Sequence, residues 1–402
     1  MKKNIFKLNT KKLKDIALSL QTKVETGLNI KDTEVQCIPT YITPNTELKG
    51  KALVLDLGGT NYRIATVDFS GGKPAIRPDN GWKKDLSVMK TPGYTKDELF
   101  KEMGDMVSDI DHQDKAIPIG YCFSYPAESL PDGDAKLLRW TKGVDIKEMI
   151  GQPVGKPLMD YFNSLDKTKF SKIKVINDTV ASLFAGLTDG SYDAYIGLIV
   201  GTGTNMATFI DAERIKKIDS SLNLKGKIPI NLESGNFFPP HLTLIDDKVD
   251  AMSINKGSQR FEKAVSGMYL GELLKYMFPC DTFEENFDAR KLTSMMSYPD
   301  IHKNKYVRAA RQIYKRSAKL VAASLAGLIL VLLSHDSSIK KICLTAEGSL
   351  FWSEDKNGKN YKKIVLDELQ TLLSSFGYTD IKIDVNQMQN ANLIGSAIAA
   401  LS

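Results

Sequence analysis

One unit occurs twice along this chain and limits the folds open to it. Ala52-Leu-Val-Leu55 runs into Asp56-Leu-Gly-Gly-Thr60-Asn61 and then a second strand-like run, Arg63 to Phe69. Ala194 to Val200 runs into Gly201-Thr-Gly-Thr204-Asn205 and then Met206 to Ile210. Gly-Thr-Asn stands in both turns, at 59–61 and 203–205, about 140 residues apart. Short apolar runs joined by glycine turns read as buried strands in hairpins. Two such units in a chain of 402 residues, too long for one core, imply two similar half-structures facing each other.

The rest of the chain alternates strands and helices. Leu8, Leu13, Ile16, Ala17 and Leu20 fall at helical spacing and predict an amphipathic helix over 8–28. Lys172 to Ile176 reads as a strand ending at Asn177-Asp178-Thr179, where Val180 to Leu187 starts a helical pattern, so Asp178 stands at a strand-to-helix corner. Helices are expected over Arg260 to Met277, Lys305 to Leu333 and Asn392 to Leu401, and a strand over Lys341 to Thr345. The alternation predicts mainly parallel sheets under helical cover. Leu320 to Leu333, the longest apolar stretch, is too short for a membrane span of about 20 residues and is expected to be a buried helix.

Charge and cysteine usage narrow the function. The chain carries 54 basic and 48 acidic residues, net +6, mixed too evenly to suggest a nucleic-acid partner; an anionic small molecule fits as well. Cys37, Cys122, Cys280 and Cys343 form no CxxC pair and read as reduced core thiols. With no apolar run suited to a signal peptide near the start, a cytoplasmic location is expected. His112, His241, His302 and His335 lack metal-ligand spacing and are expected on the surface or in loops.

The glycine turns and two carboxylates carry the chemistry. Glycine lets backbone N–H groups approach a phosphate closely, and threonine hydroxyls add donors. Neither turn matches a P-loop or an opening GxGxxG. Gly58, Gly59, Gly201 and Gly203 could merely permit tight hairpins, but two turns ending strands favour a nucleotide clamped between lobes. Asp178 could accept a hydroxyl proton during phosphoryl transfer or could serve as a helix N-cap. Asp56 could orient a magnesium ion through water or bond its own turn amides.

Together these segments resemble the hexokinase family of the actin-like ATPase superfamily. Leu55-Asp-Leu-Gly-Gly-Thr-Asn-Tyr-Arg63 is similar to the family's first phosphate motif and Gly201-Thr-Gly-Thr-Asn205 to its second. Phe123-Ser-Tyr-Pro-Ala127 with Leu138-Arg-Trp-Thr-Lys-Gly143 resembles the sugar signature, and Val175-Ile-Asn-Asp-Thr-Val-Ala181 the catalytic segment. Phe261 to Glu272 looks like a further hallmark, and Asn231 to Phe237 keeps the Asn, Glu and Gly of another.

The resemblance implies a two-lobed ribonuclease H-like α/β fold with mixed sheets flanked by helices and a cleft between lobes. The small lobe would comprise 50–177 plus 386–402, and the large lobe 1–49 plus 178–385. It implies transfer of the γ-phosphoryl of MgATP to the 6-hydroxyl of glucose or a related hexose, the first step of glycolysis, with Asp178 as base. Ser124, Thr141, Lys142, Asn177, Asp178, Asn205, Glu233 and Glu262 would hold the sugar. Asp56, Gly58, Gly59, Thr60, Asn61, Arg63, Gly201, Thr202, Gly203, Thr204, Gly348 and Ser349 would bind the nucleotide, with Thr345 to Ser349 by the adenosine. ATP and Mg²⁺ are the implied cofactors. The implied partner is a hexose, with no membrane or nucleic acid, and the assembly a monomer or homodimer. A non-catalytic hexose sensor, a kinase for another sugar and a protein-binding actin-like ATPase are the alternatives.

Overall fold

The computed structural model describes residues 5–402 except 46, 60, 109–115, 166–168, 285, 298–303, 357 and 359. Two mixed sheets organise it. The first contains β2 (Lys51–Leu57), β3 (Asn61–Asp68), β4 (Ala75–Asp85), β5 (Ile119–Phe123) and β8 (Ile173–Ile176) in the order β4-β3-β2-β5-β8. The second contains β1 (Ile38–Pro39), β9 (Ala194–Val200), β10 (Thr204–Asp211), β11 (Lys227–Asn231), β12 (Lys341–Glu347) and β13 (Lys382–Asn386) in the order β1-β11-β10-β9-β12-β13. Each glycine turn closes an antiparallel hairpin, β2/β3 or β9/β10, and parallel strands extend each sheet on one side. The sheets are therefore less parallel than the alternation of elements predicts. β6 (Ala127–Ser129) and β7 (Ala135–Leu137) form a small separate hairpin.

Strand β4 has no counterpart in the sequence reading. It lies at the sheet edge, is largely exposed, and carries Pro78 and Gly81 opposite a bulge between Ile64 and Thr66. An exposed edge strand has no apolar face to mark it.

Helices cover the sheets. α1 (Thr10–Asn29), capped by Asn9, packs on α9 (Lys305–His335), which also carries α10 (Tyr361–Ser375). Leu320 to Leu333 thus lies inside a helix packed in the core of the second sheet. α2 (Lys96–Ser108) and α3 (Lys156–Ser164) flank the first sheet. α5 (Leu244–Ala251), α6 (Arg260–Val265), α7 (Leu270–Met277) and α8 (Ala289–Met296) gather around the second.

Two helices lie between the sheets. α4 (Asp178–Ala185) packs on β9 and β10, α11 (Ala391–Leu401) packs on β2 and β5, and the two helices pack on each other. Alternation along β2 sends Leu53, Leu55 and Leu57 outward and Ala52 and Val54 toward these helices, where Val180, Phe184, Leu393 and Ile398 fill the core. The approach is close: a Cβ at Gly395 of α11 would lie 1.9 Å from the Ala181 carbonyl oxygen of α4. The chain therefore brings the N-terminal ends of two helices, one per sheet, to one place.

Three of the four cysteines are buried as free thiols, but Cys280 is exposed just beyond α7, so it is not a core thiol. His335 is not a loop residue: it closes the last turn of α9 with Nε2 2.9 Å from Glu25. His112 and His302 lie outside the described residues.

Candidate active site

Strand register builds the part of the site carried by the first sheet. Asp56 shares the inward face of β2 with Val54, and the antiparallel pairing sets Arg63 of β3 directly opposite it. Arg63 Nη2 and Nε donate to Asp56 Oδ2 at 2.5 and 3.0 Å, and Nη1 donates to Asn390 Oδ1 at 3.1 Å. Asn392 Nδ2 lies 3.4 Å from both Asp56 carboxylate oxygens. Arg63, expected on phosphate, spends three of its five N–H donors on neighbours in this conformation.

The first glycine turn is held by a bond from Gly58 N to Asn61 O at 2.9 Å, while the Tyr125 hydroxyl donates to Gly58 O at 2.8 Å. Lys142, at φ 60°, donates from Nζ to Ser124 O at 2.7 Å, and its stem crosses Gly59. Ser124, Lys142 and the turn therefore meet, with Thr141 leading into the same loop. Thr60 lies outside the described residues.

The second turn is tied down across itself, by Glu262 and by the segment after α6. Gly201 N donates to Gly203 O at 2.9 Å across it. Thr204 N donates to Glu262 Oε2 at 3.0 Å, and a Cβ at Gly203 would lie 2.6 Å from that oxygen. Gly267 N donates to Gly201 O at 2.7 Å and Met268 N to Thr202 O at 3.3 Å. Those last bonds explain why the expected helix over 260–277 is broken into α6 and α7, since these amides bond the turn. Gly348, at φ +104°, lies flat on β9, where a Cβ would be 2.3 Å from Val200 O. Gly201, Thr202 and Ser349 line a cleft of about 630 Å³ with Tyr269, Asp288 and Arg290.

The segment from Thr345 to Ser349 does not lie together by this cleft. Thr345 is buried against Gly186, and Glu347 turns into a second cavity of about 220 Å³ lined by Arg63, Asp178, Asn390 and Asn392.

The sugar set assembles at the corner after β8. Asn177 is the N-cap of α4, its side chain accepting from Thr179 N at 2.9 Å, and Asp178 Oδ1 accepts from the same amide at 2.8 Å. Asn205 Nδ2 donates to Asn231 Oδ1 at 2.7 Å, and Asn231 Nδ2 donates to Glu233 Oε1 at 2.7 Å. Glu233 takes a left-handed φ of 53°. Burial raises its pKa, the Asn231 bond opposes this, and the nearby Asp178 charge adds to it. Burial also raises Glu262, against the Thr204 amide and with repulsion from Glu233. Asp178, Glu233 and Glu262 thus share one electrostatic environment beside Asn177, Asn205 and Asn231.

Several residues here escaped sequence reasoning. Asn231 links Asn205 to Glu233, and Arg139 favours the ionised form of Glu233. Asn390 and Asn392 come from more than 320 residues beyond the strands they meet, one just ahead of α11 and one in its first turn. Burial pushes Glu347 up to about 7, and its Oε1 is buried without a hydrogen-bond partner among the described residues.

Two family models, each described as hexokinase, match residues 2–187 and, in two overlapping stretches, 195–291 and 281–402. Human hexokinase HKDC1 is 32% identical over 287 residues, covering 67% of this chain and 30% of that protein. Rat hexokinase-3 is 30% identical over 357 residues, covering 84% and 37% respectively. The chain therefore spans about a third of the length of these mammalian relatives. A Schistosoma mansoni hexokinase structure complexed with glucose superposes with TM-score 0.79 at 26% identity, over 99% of this chain and 97% of that one. A Thermus thermophilus ROK hexokinase, at 16% identity and TM-score 0.55 over 88% of this chain and 98% of that one, shares the fold. The paired hairpins, the corner at Asp178 and both sets of matches agree: the chain belongs to the hexokinase family.

Proposed function

We propose that this protein is a hexokinase that transfers the γ-phosphoryl of MgATP to the 6-hydroxyl of glucose or a related hexose. The observation that carries this reading is a run of contacts joining both glycine turns to the polar set: Thr204 N donates to Glu262, Glu262 feels the charges of Glu233 and Lys142, the Lys142 stem crosses Gly59, and Glu233 feels the charge of Asp178. Hydroxyls of a polyol need paired donors and acceptors, and the amides of Asn177 and Asn205 with the carboxylates of Glu233 and Glu262 provide both.

In this reading the 6-hydroxyl lies against Asp178, whose carboxylate takes its proton as the oxygen attacks the γ-phosphorus. The bond to the β–γ bridging oxygen breaks and ADP leaves. Backbone amides of the turns at Gly58–Gly59 and Gly201–Thr204 would cradle the phosphates, and the N-terminal ends of α4 and α11 add favourable dipole charge. The residues fit a nucleotide-borne magnesium ion: Asp56 offers a buried carboxylate at the end of β2, held in place by Arg63. Asp56 would hold that ion through water, and the ion would supply neutralising charge on the phosphates. The 630 Å³ cleft beside Ser349 is large enough for the nucleoside.

The free cysteines suit a reducing compartment, and we place the enzyme in the cytoplasm at the first step of glycolysis. The test is a coupled assay for ADP release with MgATP and glucose, mannose, fructose or glucosamine. Release that depends on one of these hexoses is expected; a rate that no hexose changes would refute the reading.

A further inference from the structure

Glu347 ends β12 of the large lobe and faces the small lobe across the 220 Å³ cavity. Its Oε1 is buried without a partner among the described residues, which costs free energy unless another state supplies one. The cation that acts on it is Arg63, from β3 of the other lobe. Arg63 has two N–H donors left after its bonds to Asp56 and Asn390. An orphaned acceptor on one lobe thus faces spare donors on the other. We propose that Glu347 is a positioning residue that accepts these remaining donors of Arg63 when the lobes approach, latching the phosphate-binding edge of the small lobe to β12.

This rests on the hexokinase reading for what closure achieves, since it would align Arg63 and the first glycine turn with the second. It makes closure depend on proton concentration. Burial holds Glu347 near 7, the Arg63 guanidinium opposing that rise. The groups facing it are Arg63 from β3 and Asp178 from α4, with neutral Asn390 and Asn392 from the start of α11 and apolar Ile199 from β9. Pairing with Arg63 favours the carboxylate, so closing releases a proton. Closure therefore strengthens as pH rises through 7 and weakens below it.

The experiment measures the distance between lobes by pulsed electron spin resonance. One label sits on the native exposed Cys280 of the large lobe and the other on Lys101→Cys, on the exposed face of α2; the other cysteines are buried. Between pH 6 and pH 8 the ratio of short to long distances should rise about tenfold, as expected for a charged hydrogen bond. The rise should vanish in Glu347→Gln and persist in Glu347→Asp, which keeps the charge. No rise in the native sequence, or the same rise in Glu347→Gln, would overturn the latch. Each sample is also read with glucose: distances that glucose leaves unchanged at both pH values would count against the hexokinase reading, while the pH comparison would still decide the latch.

Discussion

Replacing Gly395 by alanine tests whether the helix pair between the sheets positions the site. A Cβ there would lie 1.9, 2.6 and 2.9 Å from the carbonyl oxygen, carbonyl carbon and Cα of Ala181. All three are backbone atoms, so no rotamer change relieves the clash, and α11 must retreat from α4 by at least about 1 Å to restore ordinary contact. Overpacking of this kind costs up to about 3 kcal/mol, and alanine's better helix propensity returns about 1, leaving about 2 kcal/mol. With an unfolding entropy of roughly 2.1 cal/mol/K per residue, the whole chain would lose only about 2–3 °C of melting temperature. The effect on activity is larger. α11 carries Asn390 and Asn392 against Arg63 and Asp56, and a misplacement of about 1 Å at such a site can cost roughly a hundredfold in rate. The assay is kcat for hexose phosphorylation beside a thermal melt. Ser396→Ala on the same helix, which removes a buried hydroxyl with no partner among the described residues, serves as control and should be neutral or slightly stabilising. A Gly395→Ala enzyme with kcat within about twofold of the native value would refute the argument that this crossing sets the geometry of the site.

Two further outcomes follow from the same contacts. Gly348→Ala places a Cβ 2.3 Å from Val200 O at φ +104°, displacing the second glycine turn; nucleotide affinity measured by calorimetry should fall by at least about tenfold, with hexose affinity nearly unchanged. Glu347→Gln should raise thermal stability at pH 8 and leave it unchanged near pH 4: a carboxyl raised from 4.5 to about 7 by folding is protonated in both states at low pH and costs stability only as pH climbs from 4.5 through 7. Melting curves at the two pH values check the sign.

What the sequence made legible was local. The glycine turns announced their hairpins because apolar runs flank them, and Asn177-Asp178 announced a helix start because a strand pattern changes to a helical one there. Asp178 and Glu233, each singled out in its own motif, lie close enough that the charge of one acts on the other. The break at Ser266–Gly267 was hidden, because it is set by amides that bond a turn more than 60 residues earlier in the chain. The Asp56–Arg63 pair follows from strand register, visible only once β2 and β3 are aligned residue by residue. Glu347 stood only inside the segment assigned to the adenosine, and Asn392 only at the start of a predicted helix. Their positions depend on the parallel pairing of β12 with β9 and on α11 crossing back to the first sheet.

The central claim is that Asp178 is the base in phosphoryl transfer to a hexose. It is tested most directly by measuring hexose-dependent ADP release in Asp178→Ala alongside calorimetric hexose binding. Loss of kcat by at least about a hundredfold, with hexose affinity changed by less than about tenfold, is the predicted result. Turnover in Asp178→Ala near the native rate would contradict it.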